Sequence, residues 1–347
     1  MASLRFTVWR FSPARSPNIR SRALNRILVI RGGAIGDFIL TLPAIKALRA
    51  AHRNAELDIL GFRHIAMLAE NRFYAQRVRS IESAELSRFF AKNAELPSEL
   101  ERYFAKFDLI ISYLYDPDQV FETNLKRSGA RKIVPGPAKI DLPKDGFASA
   151  NKTSHAARQL ARPIDELGIP ISDFAPKLFP SSEDRHCAQK FLTGLSGPIV
   201  SFHPGSGSEP KNWPLQNWIA LGNHFLRNFD GSIVIVSGEA DETQIRELES
   251  IWQTDRVRFA KTLPLTDLGA ILERTTFVGH DSGISHLASA AGARSILLFG
   301  PTDPAVWAPL NANASVIRAP NGDLQQLDID PVRVALDHEL MRIGIRT

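Results

Sequence analysis

Three short stretches of this chain combine glycine with side chains that can take a proton or neutralise a phosphate. In the first, Arg31-Gly32-Gly33-Ala34-Ile35-Gly36-Asp37, a carboxylate follows a glycine turn. A dinucleotide fingerprint would need glycine where Arg31 stands and an acid closing the next strand, which here runs into Gly61-Phe62, so a nicotinamide site is disfavoured. Gly32, Gly33 and Gly36 are read as turn glycines that let backbone approach a phosphate, or as close packing of a strand–helix corner. Asp37 is either a first-turn acid complementing the helix dipole or a general base.

The second stretch runs His203-Pro204-Gly205-Ser206-Gly207-Ser208-Glu209-Pro210-Lys211-Asn212-Trp213-Pro214. Backbone N–H groups and hydroxyls around Ser206 and Gly207, with the Lys211 ammonium at short range, suit a diphosphate. It is not the P-loop, whose lysine directly follows glycine and precedes Ser or Thr. The alternative is a surface loop with a chance lysine. The third stretch is Phe277-Val278-Gly279-His280-Asp281-Ser282-Gly283-Ile284-Ser285-His286-Leu287-Ala288. Asp281 or Ser282 can cap a helix, and Gly283, Ser285 and Ala288 let that helix come close to a neighbour or a ligand. A helix N-terminus facing a cleft favours phosphate. His286 is read either as a ligand contact or as a structural histidine.

The elements that must position these residues follow from hydrophobic pattern. A β-branched run from Arg26 to Ile30 meets the first glycine turn and an amphipathic stretch from Phe38 to Ala51, which predicts strand, turn and helix. Further strands are predicted at Leu57 to Leu60, Asp108 to Tyr113 and Lys132 to Val134. The pattern restarts with a strand from Pro198 to His203 and a helix from Trp218 to Phe229. Strands follow at Ser232 to Ser237, Thr276 to Gly279 and Ser295 to Phe299. Such alternation argues for two successive α/β units with parallel sheets, which bind ligands beyond the carboxyl ends of their strands. The predicted division is a basic extension over 1–25, a first domain over 26–170, a proline-bearing linker over 171–180, a second domain over 181–330 and a closing helix over 331–347.

Composition narrows the class. At 347 residues, 44% hydrophobic and 23% charged, the chain suits two globular domains rather than disorder or a membrane bundle. No run approaches the roughly twenty apolar residues that span a bilayer. One cysteine, Cys187, excludes an internal disulfide or a multi-cysteine zinc site and fits the cytoplasm. The extension carries Arg5, Arg10, Arg15, Arg20 and Arg22 with no acid. It is read as a mobile tail, with attraction to an anionic membrane face or a transit peptide as alternatives. A net charge of +5 points to anionic partners, but no aromatic-interleaved nucleic-acid surface is present.

Taken together and in order, RILVIRGGAIGDFILTLPAIKALR, HPGSGSEPKNWP and FVGHDSGISHLASAAGARSILLFGPTDP resemble glycosyltransferase family 9, the heptosyltransferases. The likeness runs from about Arg26 to Pro304. It implies a GT-B fold, two Rossmann-like parallel-sheet domains facing across a cleft. It also implies a nucleotide-diphosphate sugar donor, ADP-heptose, and a lipopolysaccharide core or similar lipid-linked glycan acceptor. Carried over by position, Asp37 is the general base and Lys211, with Ser206, Gly207 and nearby backbone, neutralises the departing diphosphate. Glu239 matches the acid that holds the adenosine ribose, and Asp281, Ser282, Gly283 and His286 match the motif that touches donor sugar and phosphates. The family often has threonines where this chain has Ser206 and Gly207.

The transferred roles suit an inverting displacement, with a base on one domain and a cation on the other. Lys211 and a helix N-terminus can meet the leaving-group charge, so neither metal nor cofactor is expected. Arg63, Arg72, Arg127 and Arg131 are candidates for anionic groups of the acceptor. The expected location is the cytoplasm, peripheral to the membrane face. Alternatives are a nucleotide-sugar epimerase, another GT-B transferase, or a silent sugar-nucleotide binding protein.

Overall fold

The computed structural model describes residues 24–142, 154–238, 242–342 and 344. Glu239 and nearly all of the basic extension lie outside these residues. The first unit runs β1 (Arg26–Arg31), α1 (Ile35–Ala51), β2 (Glu56–Gly61), α2 (Arg63–Ala66), β3 (Arg77–Ser80), α3 (Ser98–Phe104), β4 (Leu109–Ser112), α4 (Val120–Arg127) and β5 (Ile133–Pro135), then α5 (Ala156–Leu160) and α6 (Arg162–Glu166). Residues 169–181 form neither helix nor strand. The second unit runs α7 (Ser182–Leu192), β6 (Ile199–His203), α8 (Leu215–Asn228), β7 (Ser232–Ser237), α9 (Glu242–Ile251), β8 (Val257–Lys261), α10 (Leu265–Leu272), β9 (Thr276–His280), α11 (Gly283–Ala291), β10 (Arg294–Phe299), α12 (Pro304–Trp307), β11 (Ala314–Arg318) and α13 (Ile329–Arg342).

Both sheets are wholly parallel, ordered β3-β2-β1-β4-β5 and β11-β10-β9-β6-β7-β8. Each is a doubly wound sheet, with its strand order reversing between β1 and β4 in one and between β6 and β9 in the other. Loops diverge at that point and leave a crevice at the carboxyl edge. The first glycine turn leaves β1, and the second and third clusters leave β6 and β9, so every cluster lies at a reversal point.

Alternation along the strands divides the core. Ile27 and Val29 of β1 face one apolar layer, while Leu28 and Ile30 face another containing Phe89, Phe104 and Phe121. The layer on the Ile27 side continues through α1 and α5 into Leu268, Ile271, Phe277 and Leu287 of the second unit. The two units therefore share one core layer, and α1 and α11 lie against each other within it. A third layer, around Trp213, Trp218 and Phe225, covers the other side of the second sheet.

Several boundaries differ from the predicted ones. Helix α1 begins at Ile35, three residues ahead of Phe38, which places Asp37 inside the first turn. Helix α13 begins at Ile329, two residues ahead of the expected closing helix, and packs on α8 and β10 of the second unit. Strands β3, β8 and β11 were not foreseen.

Candidate active site

The β1–α1 turn is built around Asp37. Gly33 sits at φ +99°, and a Cβ there would lie 2.8 Å from Asp37 Oδ2, so only glycine lets the turn close over the carboxylate. Oδ2 accepts the Ala34 N–H at 3.1 Å, and Oδ1 lies 3.5 Å from Arg31 Nη2. The Asp37 side chain keeps 35% exposure, whereas Arg31 keeps 3%. Arg31 Nε donates to Thr41 Oγ1 at 3.1 Å, and Thr41 Oγ1 donates to the Asp37 carbonyl at 2.7 Å. Burial pulls Arg31 below the usual guanidinium range, opposed by Asp37.

On the second sheet, Lys211 Nζ donates to Asp281 Oδ2 at 2.7 Å, and Thr302 Oγ1 donates to the same oxygen at 2.8 Å. Loops from β6, β9 and β10 thus meet on one carboxylate. The chain two residues after Lys211 is anchored, because the Trp213 N–H donates to His280 Nε2 at 2.8 Å and Trp213 Nε1 donates to Leu327 O at 2.7 Å. Ser206 Oγ bonds to Asn212 Oδ1 at 2.6 Å and to Ser208 O at 2.9 Å, which folds the glycine-serine loop back on itself. Gly207, at φ +70°, has open space around it.

Helix α11 starts where the motif ends. Ser282 is its N-cap, accepting from the Ser285 N–H at 3.3 Å, and its Oγ lies 3.4 Å from His203 Nδ1. A Cβ on Gly283 would stand 2.7 Å from Ile35 Cβ and 3.1 Å from Gly36 N. One on Gly36 would stand 3.2 Å from His286 Cδ2. Gly36 and Gly283 therefore serve close contact between the N-terminal ends of α1 and α11. His286 fills the corner between them, 5% exposed, with Nδ1 making no hydrogen bond among the described residues. Burial pushes its imidazole down to about 4, partly opposed by the Asp281 and Asp37 carboxylates. The same penalty pushes the fully buried His280 down to about 3. Both rings stay neutral at physiological pH.

The remaining candidates divide by position. Gly32 packs against Leu114, at the carboxyl end of β4 across the first reversal point. A cavity of about 380 Å³ opens at the carboxyl edges of β7 and β8, lined by Ser237, Gly238, Arg246, Lys261 and Thr262 among others. The sequence passes from this edge into Glu239, which lies outside the described residues. Of the four arginines assigned to the acceptor, only Arg63 follows the carboxyl edge of its sheet, and it bonds to Val78 O and Glu70. Arg72 is half-buried and pairs with the buried Asp184 of the second unit at 2.5 Å. Arg127 and Arg131 precede β5 and so lie at the amino edge, away from the Asp37 turn, where they bond to Asn124 and Asp108. These three arginines thus lie away from the Asp37 turn, engaged with partners of the chain itself.

Arg31, Thr302 and the anchoring His280 were not read as site residues. Their signal was position alone: Arg31 ends a strand before the turn, His280 ends β9, and Thr302 follows a strand closed by Gly300-Pro301. Among the described residues no three His, Cys, Asp or Glu side chains gather as a metal centre would require, and no helix is long and apolar enough to cross a membrane.

Comparison with known proteins gives the family and the fold. The profile of glycosyltransferase family 9 (heptosyltransferase) matches residues 149–331, more than half of the chain. Lipooligosaccharide heptosyltransferase 2 of Haemophilus influenzae is 30% identical over 194 residues, covering 50% of this chain and 56% of that protein. The chain spans about half the length of the first curated relatives it matches. The crystal structure of a family 9 glycosyltransferase from Veillonella parvula superposes with a TM-score of 0.76 at 20% identity, covering 92% of this chain and 97% of that one. The structure of the E. coli ADP-heptose lps heptosyltransferase II superposes at 0.72 and 17% identity, covering 92% and 99%. At these identities the superpositions establish the GT-B fold, and the profile match establishes the family. The profile match over more than half of the chain shows that the chain is a member of glycosyltransferase family 9, the heptosyltransferase family.

Proposed function

We propose that the protein transfers heptose from ADP-heptose to a lipopolysaccharide core or related lipid-linked glycan, with inversion at the anomeric carbon and without a metal. The observation that carries this reading is the meeting of two reversal points. Asp37 stands in the first turn of α1, Lys211 and Asp281 stand on the opposite sheet, and the ends of α1 and α11 touch between them.

In the proposed reaction Asp37 takes the proton of the acceptor hydroxyl, whose oxygen bonds to the anomeric carbon as the bond from that carbon to the diphosphate oxygen breaks. The electron pair leaves on the diphosphate, and Lys211 with the N-terminal end of α11 meets the growing charge. Asp281, itself held by Thr302, holds Lys211 at the loop junction, so Asp281 is a positioning residue in this reading. The cavity beyond β7 and β8 takes the nucleoside, with Glu239 on its ribose. Acceptor contacts lie near the β1–α1 turn and Arg63. The alignment with a named lipooligosaccharide heptosyltransferase supports the sugar and the acceptor class.

The test is product formation from ADP-heptose with and without a heptose-free lipid A core acceptor. Acceptor-dependent ADP release with heptose joined to the glycan is expected. Release that ignores the acceptor, or isomerisation of the donor, would favour a hydrolase or an epimerase on the same scaffold.

A further inference from the structure

We infer that Arg31 is a positioning residue for the transfer reaction, holding the Asp37 carboxylate in the orientation in which it receives the acceptor proton. The inference rests on the assignment of Asp37 as the base. A guanidinium removed from water to 3% exposure costs several kcal/mol unless its donors are used, so its surroundings identify its task. Here two of its donors lead to Asp37, one directly and one through Thr41. Nη2 faces Asp37 Oδ1 at 3.5 Å, and Nε donates at 3.1 Å to Thr41 Oγ1, which itself donates at 2.7 Å to the Asp37 carbonyl. The guanidinium lies over the Tyr113 ring at 5.5 Å, and the Tyr113 hydroxyl is tied to Leu160 O at 2.9 Å. The cation is thus fixed from the strand, the helix and the sheet floor, and it acts on both the main chain and the side chain of Asp37.

The geometry also leaves the carboxylate usable. An ionised carboxylate offers about four lone-pair sites, and those named here are met by Arg31 and the Ala34 N–H. At 3.5 Å the ion pair steers without the tight two-point clasp of a structural Arg–carboxylate pair such as Arg72 with Asp184. The 35% exposure of Asp37 keeps its outer face open.

The decisive experiment is a double-substitution cycle on the full chain, reading the transfer rate and ADP affinity of Arg31→Met, Asp37→Asn and the combination. Arg31→Met is expected to lower kcat by roughly ten- to a hundredfold with ADP affinity nearly unchanged, because orientation of a proton acceptor acts on the transition state. Arg31→Lys should restore part of the rate, since it keeps the charge but loses the fork that reaches Thr41. In the Asp37→Asn background Arg31→Met should cost nothing further. A similar proportional loss in both backgrounds, or no recovery with lysine, would overturn the inference and leave Arg31 a stabilising residue. Should Arg31→Met fail to fold, Thr41→Val in the same cycle serves in its place, with a smaller loss of about three- to tenfold that also vanishes beside Asp37→Asn. If Asp37→Asn itself transfers normally, the base assignment falls and this inference with it. If Asp37→Asn is inactive while Arg31→Met matches the parent chain, the inference alone falls.

Discussion

Lys211 contacts Asp281, whose carboxylate Thr302 shares, and the chain two residues on is anchored by the Trp213 N–H on His280, a set that no single motif contains. Its removal should act on rate, since diphosphate charge grows as the glycosidic bond breaks. For Lys211→Ala we expect kcat to fall about a hundredfold or more, roughly 3 kcal/mol of transition-state stabilisation, with a smaller change in ADP affinity. A raised KM with unchanged kcat would assign Lys211 to uniform binding instead. The buried histidines make a separate claim. His286 and His280 are held neutral by burial, at about 4 and about 3, whereas an unfolded imidazole titrates at 6.5. Between these values the unfolded chain binds more protons, so the stabilising share is full above 6.5 and is lost as pH falls toward the folded values. Each ring should contribute about 1.4 kcal/mol per pH unit in that window. Urea unfolding at pH 7 and pH 5 measures this, and His280→Asn should flatten the slope by one ring's share. Equal stability at the two pH values would refute it.

Among the elements, the strands legible in the sequence are those whose apolar runs are nearly continuous, as in Leu28-Val29-Ile30 and Ile233-Val234-Ile235-Val236. The three that escaped, β3 (RVRS), β8 (VRFAK) and β11 (ASVIR), are all edge strands. An edge strand meets solvent along one side and carries charges that break the hydrophobic signal. The three clusters were legible because glycine-rich turns after strands are punctuation that a sequence displays. What joins them was not, since Lys211 and Asp281 are 70 positions apart and their pairing depends on strand order. The positions of Arg72, Arg127 and Arg131 were illegible for the same reason: charge is visible in a sequence, but the sheet edge on which it lies is not. Gly283 shows a motif residue whose packing role emerges only between elements. Gly283→Ala places a Cβ 2.7 Å from Ile35 Cβ and must push α1 and α11 apart. We expect a loss of about 1–3 kcal/mol, read as a lower melting temperature. Unchanged stability would mean that this contact yields freely.

At the scale of the molecule, the halves are tied by more than the chain between them. Arg72 clasps Asp184, Tyr74 donates its hydroxyl to Lys177 O, and His155 Nε2 donates to Ala308 O at 2.7 Å, all beside the shared core layer. Burial tends to raise the Asp184 carboxyl, but Arg72 and Ser181 outweigh it and hold it below the ordinary 3.8. A depressed carboxyl stabilises above its unfolded value, so this share is present at neutral pH and is lost only as pH falls below 3.8. Arg72→Met strands the buried carboxylate and should cost about 3 kcal/mol at pH 7. Denaturant midpoints check this, and a loss under about 0.5 kcal/mol would place the pair among weak surface contacts. In the proposed reaction Asp37 and Lys211 act at one site from different sheets, and the most direct test of that proposal is Asp37→Asn. Asparagine keeps the size of the side chain and an oxygen for the Ala34 N–H, but it cannot take a proton. Melting temperature, ADP affinity and heptose transfer measured on one preparation should show the first two nearly unchanged and transfer lowered by about 10²–10⁴-fold. Near-normal transfer in the folded variant would contradict the account.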